Sequence, residues 1–403
     1  MKTPRPAVLV LNGGSSSIRF AVFEAGPSPG RLLAGKIDRL GQRGAKLTAT
    51  DAAGERVVAL PRTAAGQRAG TEFLLDWLAA QPAFAAVRAV GHRVVHGLTH
   101  TAPERVTAKL LADLRRITPF DPDHLPQEIA LIEAVRRRHP RLPQVACFDT
   151  AFHRTMPRVA RLLPLPRRWA ADGVRRYGFH GLSYTYLLGE LRRLDPVVAR
   201  GRVIFAHLGG GASLAAVRHG RSIDTSMGFT PASGLVMGTR SGDLDPGLPA
   251  FLARRAGMTP AQFDRMANHA SGLLGVSGTS ADVRDLLARE SRDGRAADAL
   301  ALFCYQARKW IGAYAAALGG LDALVFAGGI GENAAAIRER ICTGLDFLGV
   351  QLDGRRNRAH APVISRAPAR VVVRIIRTDE EVMIARSACH LLGLAARPAK
   401  NQL

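Results

Sequence analysis

The chain has 403 residues, 47% of them apolar and 6% aromatic, and a formal net charge of +23. That length suits two domains or one large one with ample core. No apolar run reaches transmembrane length, which argues against a membrane partner. Cys147, Cys304, Cys342 and Cys389 form neither a CxxC pair nor a disulfide framework, so a reducing cytoplasm is expected. Lys2 and Arg5 precede an apolar run broken by Asn12-Gly13-Gly14, which speaks against a secretory signal. The basic residues are mostly Arg, scattered, and not interleaved with aromatics. They describe a solvated surface that draws in anionic substrates rather than one that binds nucleic acid.

Residues 7–11 form a continuous apolar run, hence a buried strand, and Ile18 to Phe23 returns as a second strand. The turn between them, Asn12-Gly13-Gly14-Ser15-Ser16-Ser17, supplies an amide, three hydroxyls and exposed N–H groups. These groups can hold phosphate oxygens or a hydrated Mg²⁺, although an ordinary hairpin reads the same way. Residues 25–70 read as strands and loops, and 71–80 as a helix with Phe73, Leu74, Trp77 and Leu78 on one face. Residues 89–97 read as a strand end presenting Arg93 and His96. Arg93 can fork onto a carboxylate or phosphate, or simply lie on the surface. Residues 101–117 are predicted helical, 121–126 a rigid turn, and 127–138 the next helix.

Residues 145–148 form another short strand, with Asp149 at its carboxyl end. Sites in open α/β sheets gather at such ends, though an N-cap role competes. His180 stands between glycines in Tyr177-Gly178-Phe179-His180-Gly181, an environment with little packing, so it is not read as a core histidine. Residues 203–206 are apolar and lead into His207-Leu208-Gly209-Gly210-Gly211-Ala212-Ser213. Three adjacent glycines leave backbone N–H groups unscreened, as a phosphate cradle requires. A return strand over 214–217 repeats the layout near the N-terminus half a chain away, which suggests a duplicated domain. The cluster 239–247, with Arg240, Asp243 and Asp245, fits anion and metal chemistry.

Helices are predicted near 263–266, 280–288 and 300–318. The strand 323–327 runs through Gly328-Gly329-Ile330-Gly331-Glu332-Asn333 into a helix over 334–344. Strand, glycines and helix start make a nucleotide-site layout without the Walker A Lys. The last strand is 371–376, and Thr378-Asp379-Glu380-Glu381 caps a helix to about Leu394.

Eight motifs occur in order: NGGSSSIRF, GHRVVHG, FDTAFH, YGFHG, SMGFTP, MGTRSGDLDPG, GGIGEN and TDEEVMIAR. Together they resemble the acetate/propionate/butyrate kinase family of the actin-like ATPase superfamily over nearly the whole chain. The resemblance implies an α/β fold of two duplicated actin-like ATPase (ribonuclease H-like) domains with the active site in the cleft between them. One domain would span residues 1–150, joined by a terminal helix over about 385–403, and the nucleotide-binding domain residues 151–384. It implies reversible phosphoryl transfer from ATP to acetate or another short-chain carboxylate, giving ADP and an acyl phosphate. Mg²⁺, or Mn²⁺ in its place, would assist, and the protein would be a cytoplasmic homodimer.

By the same resemblance, Asn12 and Glu380 would serve the metal, and Arg93 the substrate carboxylate. Asp149, His180 and Arg240 would be catalytic, and Val95, Phe179 and Pro231 would wall the alkyl end. Arg19, His207, Leu208, Gly209, Gly210, Gly211, Asp282, Val283, Arg284, Gly329, Ile330, Gly331, Glu332 and Asn333 would bind nucleotide. Acetate is ionised at neutral pH, so Asp149 is read as an orienting group rather than a base. Several positions depart from the family pattern. Arg19 replaces a usual Lys, Gly210 an Asn, and Leu182 and Tyr184 a Thr and a His. Asp123 replaces a Leu of the acyl pocket; pointing inward, it would pair with His124 or Arg93 rather than touch a methyl group. Two rivals share the superfamily: a sugar or polyol kinase and a non-catalytic nucleotide-binding module. The first leaves Arg93 unexplained, and the second has no need of Arg93, His180 and Arg240 together.

Overall fold

The computed structural model describes residues 5–14, 17–26, 29–40, 44–60 and 66–394. Ser15 and Ser16 of the first turn therefore lie outside the described residues. The chain divides into two compact units, one of Met1–Ala151 with Asp379–Leu403, the other of Phe152–Thr378.

Unit 1 contains β1 (Ala7–Gly13), β2 (Ser17–Glu24), β3 (Arg31–Asp38), β4 (Lys46–Asp51), β5 (Gly54–Ala59), β6 (Val87–Val94), β7 (Glu104–Arg105) and β8 (Gln144–Phe148). Their order in the sheet is β5-β4-β3-β2-β1-β6-β8-β7. Every residue of β1 and β8 is buried, as expected of strands without polar alternation. Helices Gln67–Ala79 and Leu125–Arg138 contribute Leu74, Leu75, Leu78, Leu131 and Val135 to the core with β1 to β3. Helix Glu380–Leu392 packs on β1, β6, β8 and β2. Gly91 of β6 allows this, since a Cβ there would lie 2.5 Å from Ile384 Cγ2. The chain thus re-enters unit 1 at Asp379, not at 385, because Asp379 caps this helix through Val382 N–H and the whole helix belongs to this sheet.

Unit 2 contains β9 (Arg202–Leu208), β10 (Ala212–Arg218), β11 (Arg221–Thr225), β12 (Ala323–Ala327) and β13 (Val372–Ile375), ordered β11-β10-β9-β12-β13. The three-strand meander β9-β10-β11 is antiparallel, and β12 and β13 continue parallel to β9. In unit 1, β1-β2-β3 is the same meander, and β6 and β8 continue parallel to β1. The shared order and directions give the duplication a structural basis. Helices Gly181–Leu194 and Gly294–Leu318 supply further apolar side chains to unit 2, among them Leu187, Leu191, Phe303 and Ile311.

Two predicted elements differ. The helix expected over 101–117 is the short strand β7 followed by helix Ala108–Arg116. Thr107 sets the start, its hydroxyl accepting from Leu110 N–H at 3.1 Å. The glycines of Gly328–Asn333 are themselves a helical turn, and a second helix spans Ala335–Cys342. Gly328 makes the bend at φ +75°, where a Cβ would lie 2.6 Å from Leu208 O.

Candidate active site

In unit 1, β1 and β6 run parallel, and their carboxyl ends bring Asn12 and Arg93 to a common cluster with Asp149, which follows β8. Arg93 donates from Nη2 and Nε to Asp149 Oδ2 at 2.6 and 3.0 Å, and from Nη1 to Asn12 Oδ1 at 3.3 Å. Asn12 Nδ2 donates to Glu380 Oε2 at 3.4 Å, which links the first residue of helix Glu380–Leu392 to the cluster. Burial would by itself lower the guanidinium pKa, but the charges of Asp149, Glu380 and Glu128 and the bond to Asp149 raise it. Arg93 is therefore a fixed cation. Among the described residues no group of three or more His, Cys, Asp and Glu could hold a metal ion. Asn12 and Glu380 offer a hard amide oxygen and a carboxylate, a donor set too sparse for an all-protein cage. It fits Mg²⁺, which keeps waters and takes phosphate oxygens.

Glu128, which sequence reasoning passed over, belongs to the same neighbourhood. Both its carboxylate oxygens accept from Val95 N–H, at 3.2 and 3.1 Å. Its burial pushes its pKa well above the carboxylate range, against the pull of Arg93 and Val95 N–H. It thereby fixes the backbone of Val95. His124 lies 2.7 Å from Asp121 Oδ1, and Asp123 beside it is half-buried. Arg19 is exposed on β2, opposite Asn12 in register. It belongs to unit 1, whereas the other nucleotide candidates belong to unit 2.

In unit 2, His207 and Leu208 end β9, and Gly209 to Gly211 make the turn into β10, with Gly209 N–H donating to Gly211 O at 3.1 Å. Gly238 N–H donates to Gly210 O, also at 3.1 Å, tying this turn to the segment that carries Arg240. Arg240 Nη1 donates to Pro231 O at 3.3 Å. A Cβ on Gly211 would lie 3.3 Å from His180 Nε2 and 3.6 Å from Arg240 Nη1. The His180 imidazole and the Arg240 guanidinium therefore both lie close to one point above the glycine turn, which the lack of a Cβ on Gly211 leaves open. The second glycine segment is adjacent: a Cβ on Gly209 would be 3.9 Å from Gly329 N.

His180 adopts φ +58° at the N-cap of helix Gly181–Leu194, a left-handed conformation uncommon outside glycine. Contrary to the sequence expectation, it is buried. The flanking glycines do not deprive it of packing, because neighbouring elements supply it. Its ring lies on His207 with centroids 4.3 Å apart, and its Nδ1 is 2.9 Å from Ser213 Oγ. His207 Nδ1 is in turn 2.8 Å from Ser183 Oγ. Phe179 O accepts from His153 Nε2 at 3.1 Å, while His153 Nδ1 is 2.8 Å from Ser222 Oγ. Burial holds the His153 pKa down at about 4, so a neutral ring anchors the Phe179–His180 backbone. FDTAFH contains His153, but nothing local reveals that it reaches residue 179.

Glu332 Oε1 accepts from Gly328 N–H at 2.9 Å and Thr378 N–H at 3.1 Å, and Asn333 Nδ2 donates to Gly329 O at 2.9 Å. Ile330 and Gly331 complete this turn, which rests on fully buried Arg338. Arg338 Nη1 donates to Gly331 O and Glu332 O at 2.9 and 3.0 Å, and its other nitrogens to Asn357 Oδ1 and O, both at 2.8 Å. Burial pulls its pKa down to about 10. Asp282 caps helix Val283–Arg289 through Arg284 N–H at 2.9 Å and pairs with the exposed Arg284 guanidinium at 2.6 Å, while Val283 is buried.

A model of the acetokinase family matches residues 7–386. The chain is 44% identical over 401 residues to an acetate kinase of Methylocella silvestris, covering 96% of this chain and 98% of that one. It is 43% identical over 398 residues to a propionate kinase of Citrobacter rodentium, covering 97% and 98%. The crystal structure of Porphyromonas gingivalis acetate kinase superposes with a TM-score of 0.86 at 37% identity, covering 96% of this chain and all of that one. No described helix is long and apolar enough to cross a membrane. The duplicated topology, the two glycine turns and the full-length similarity together establish that the chain belongs to the acetokinase family.

Proposed function

We propose that the protein transfers the γ-phosphoryl group of ATP reversibly to acetate, and also to propionate, giving ADP and an acyl phosphate. The observation that carries this reading is the convergence of His180 Nε2 and Arg240 Nη1 on the point above Gly211. The transferring phosphoryl is metaphosphate-like, with its charge spread over three oxygens, so positioned donors do most of the work. The turns at Gly209–Gly211 and Gly329–Asn333 and the Asp282–Arg284 cap hold the nucleotide. Arg93, oriented by Asp149, binds the acceptor carboxylate as a fixed cation. Acetate needs no general base, and none is assigned. Asn12 and Glu380 would hold Mg²⁺, which would supply neutralising positive charge to the phosphoryl oxygens. Val95, steadied by Glu128, and Phe179 and Pro231 restrict the acyl chain. The working form is a homodimer in a reducing cytoplasm, in keeping with the four free, buried cysteines.

The test is kcat/KM from acyl-hydroxamate formation with ATP and acetate, propionate, butyrate or glycolate. One methylene changes pocket binding by only about 1–3 kcal/mol, so acetate and propionate are both expected to react, with a fall at butyrate. A preference for butyrate would refute the compact pocket. A preference for glycolate would show that Asp123 reshapes the specificity, and no hydroxamate with any acid would refute the reaction.

A further inference from the structure

We propose that Tyr184 is a positioning residue for phosphoryl transfer, acting through Ser213 to hold His180 in the tautomer that carries its proton on Nε2. The proposal rests on the reading of His180 as a donor to the transferring phosphoryl.

Ser213 Oγ on β10 is fully buried and, among the described residues, pairs with His180 Nδ1 at 2.9 Å and with the Tyr184 hydroxyl. A serine hydroxyl has one proton to give. A phenol is the better donor of the two hydroxyls, so in the relay Tyr184 donates to Ser213 Oγ and Ser213 turns its own proton to His180 Nδ1; were Ser213 to accept from His180 as well, its own buried proton would lack an acceptor. The nitrogen that accepts cannot carry the proton, so the imidazole proton sits on Nε2. That is the atom facing the point above Gly211, 3.3 Å from where a Cβ would stand. A neutral imidazole in the opposite tautomer would present a lone pair to phosphoryl oxygens and repel them.

The geometry favours a fixed orientation of the relay. Tyr184 is fully buried, its ring packed on Phe152, His153 and Phe205 at centroid distances of 5.6, 5.7 and 6.2 Å. It lies on the first turn of helix Gly181–Leu194, beside Ser183, which contacts His207 in the same manner. Two successive side chains of one helical turn thus reach the two adjacent imidazoles, Ser183 directly and Tyr184 through Ser213. Tyr184 is also a position at which this chain departs from the His usual in the motif, so the relay is a feature of this sequence.

The experiment compares wild type, Tyr184→Phe, Ser213→Ala, His180→Ala and the Tyr184→Phe/His180→Ala pair. Tyr184→Phe keeps the ring and removes one hydroxyl, so the fold is expected to persist, checked by an unchanged KM for ATP. Its kcat is expected to fall about 10-fold, the lower end for partners that orient a functional imidazole, and Ser213→Ala to do the same. In the His180→Ala background, removing the Tyr184 hydroxyl is expected to cost nothing further. Independently of activity, ¹⁵N-histidine NMR is expected to show His180 as the Nε2–H tautomer in wild type and as a mixture in Tyr184→Phe. An unchanged tautomer, an unchanged kcat, or an equal loss in the His180→Ala background would each overturn the relay. Wild-type turnover by His180→Ala would instead overturn the site reading, and the NMR result would still decide the relay.

Discussion

Arg93 grips a single oxygen of Asp149 with two of its nitrogens, Nη2 at 2.6 Å and Nε at 3.0 Å, and Asp149 is fully buried. The carboxylate thus sets the plane of the guanidinium rather than meeting it as a loose ion pair. Arg93→Leu is expected to raise the KM for acetate at least about 10-fold, with little change in the KM for ATP, the pattern of lost acceptor binding. Arg93→Lys is not expected to restore binding, because an ammonium cannot reproduce the fork. Removing one partner of a buried pair costs about 3–5 kcal/mol, so urea unfolding is expected to show Arg93→Leu clearly destabilised. Wild-type acetate KM in either variant would contradict the assignment.

Arg240→Ala is expected to lower kcat by about 10³-fold or more with a smaller change in the KM for ATP, by analogy with cations that act on the transition state. Turnover close to wild type in the folded variant would remove Arg240 from the mechanism.

Two glycines separate site chemistry from backbone need. Gly211→Ala places a methyl between His180 and Arg240, at 3.3 and 3.6 Å, without positive-φ strain. Its kcat is expected to fall steeply while its Tm stays near wild type. Gly328→Ala is strained at φ +75° and meets Leu208 O at 2.6 Å, so it is expected to lose stability first. The opposite pattern, an active Gly211→Ala or a stable Gly328→Ala, would show that these glycines have other roles. Thermal melts paired with steady-state kinetics make the comparison.

His92 and His153 have pKa values lowered from 6.5 to about 4, chiefly by burial, with partial opposition from the bonds to Gln144 and Phe179 O respectively. Each is neutral when folded and takes up a proton on unfolding below about pH 6.5. Their contribution to stability is therefore complete above that pH and is lost as pH falls toward 4. Each group changes stability by up to about 1.4 kcal/mol per pH unit in this window. The stability gap between wild type and His153→Gln is expected to narrow as pH falls from 6.5 to 4.5 in urea titrations. A gap independent of pH would contradict the buried neutral ring.

Much of the fold was legible where one segment decides its own fate. The apolar runs of β1, β8, β9 and β12 read as buried strands because they lack polar alternation. The repeated strand, glycine turn and strand revealed the duplication. The start of helix Ala108–Arg116 is masked in the sequence because apolar spacing outweighs the Thr107 cap. The helical form of Gly328–Asn333 was hidden because glycine gives no helix signal, and carbonyl contacts from Arg338 and the Glu332 carboxylate stabilise it. Glu128, His153 and Ser213 are silent in the sequence for one reason. Their partners, Val95, Phe179 and His180, lie 26 to 33 residues away, and only the folded chain brings them together.

Phosphorus NMR of purified protein with ATP, Mg²⁺ and acetate tests the central claim most directly, because it identifies the phosphorylated product itself. The expected result is an acetyl phosphate resonance that grows in step with ADP and disappears when acetate is omitted. ADP accompanied only by inorganic phosphate, or no consumption of ATP, would contradict phosphoryl transfer to the carboxylate.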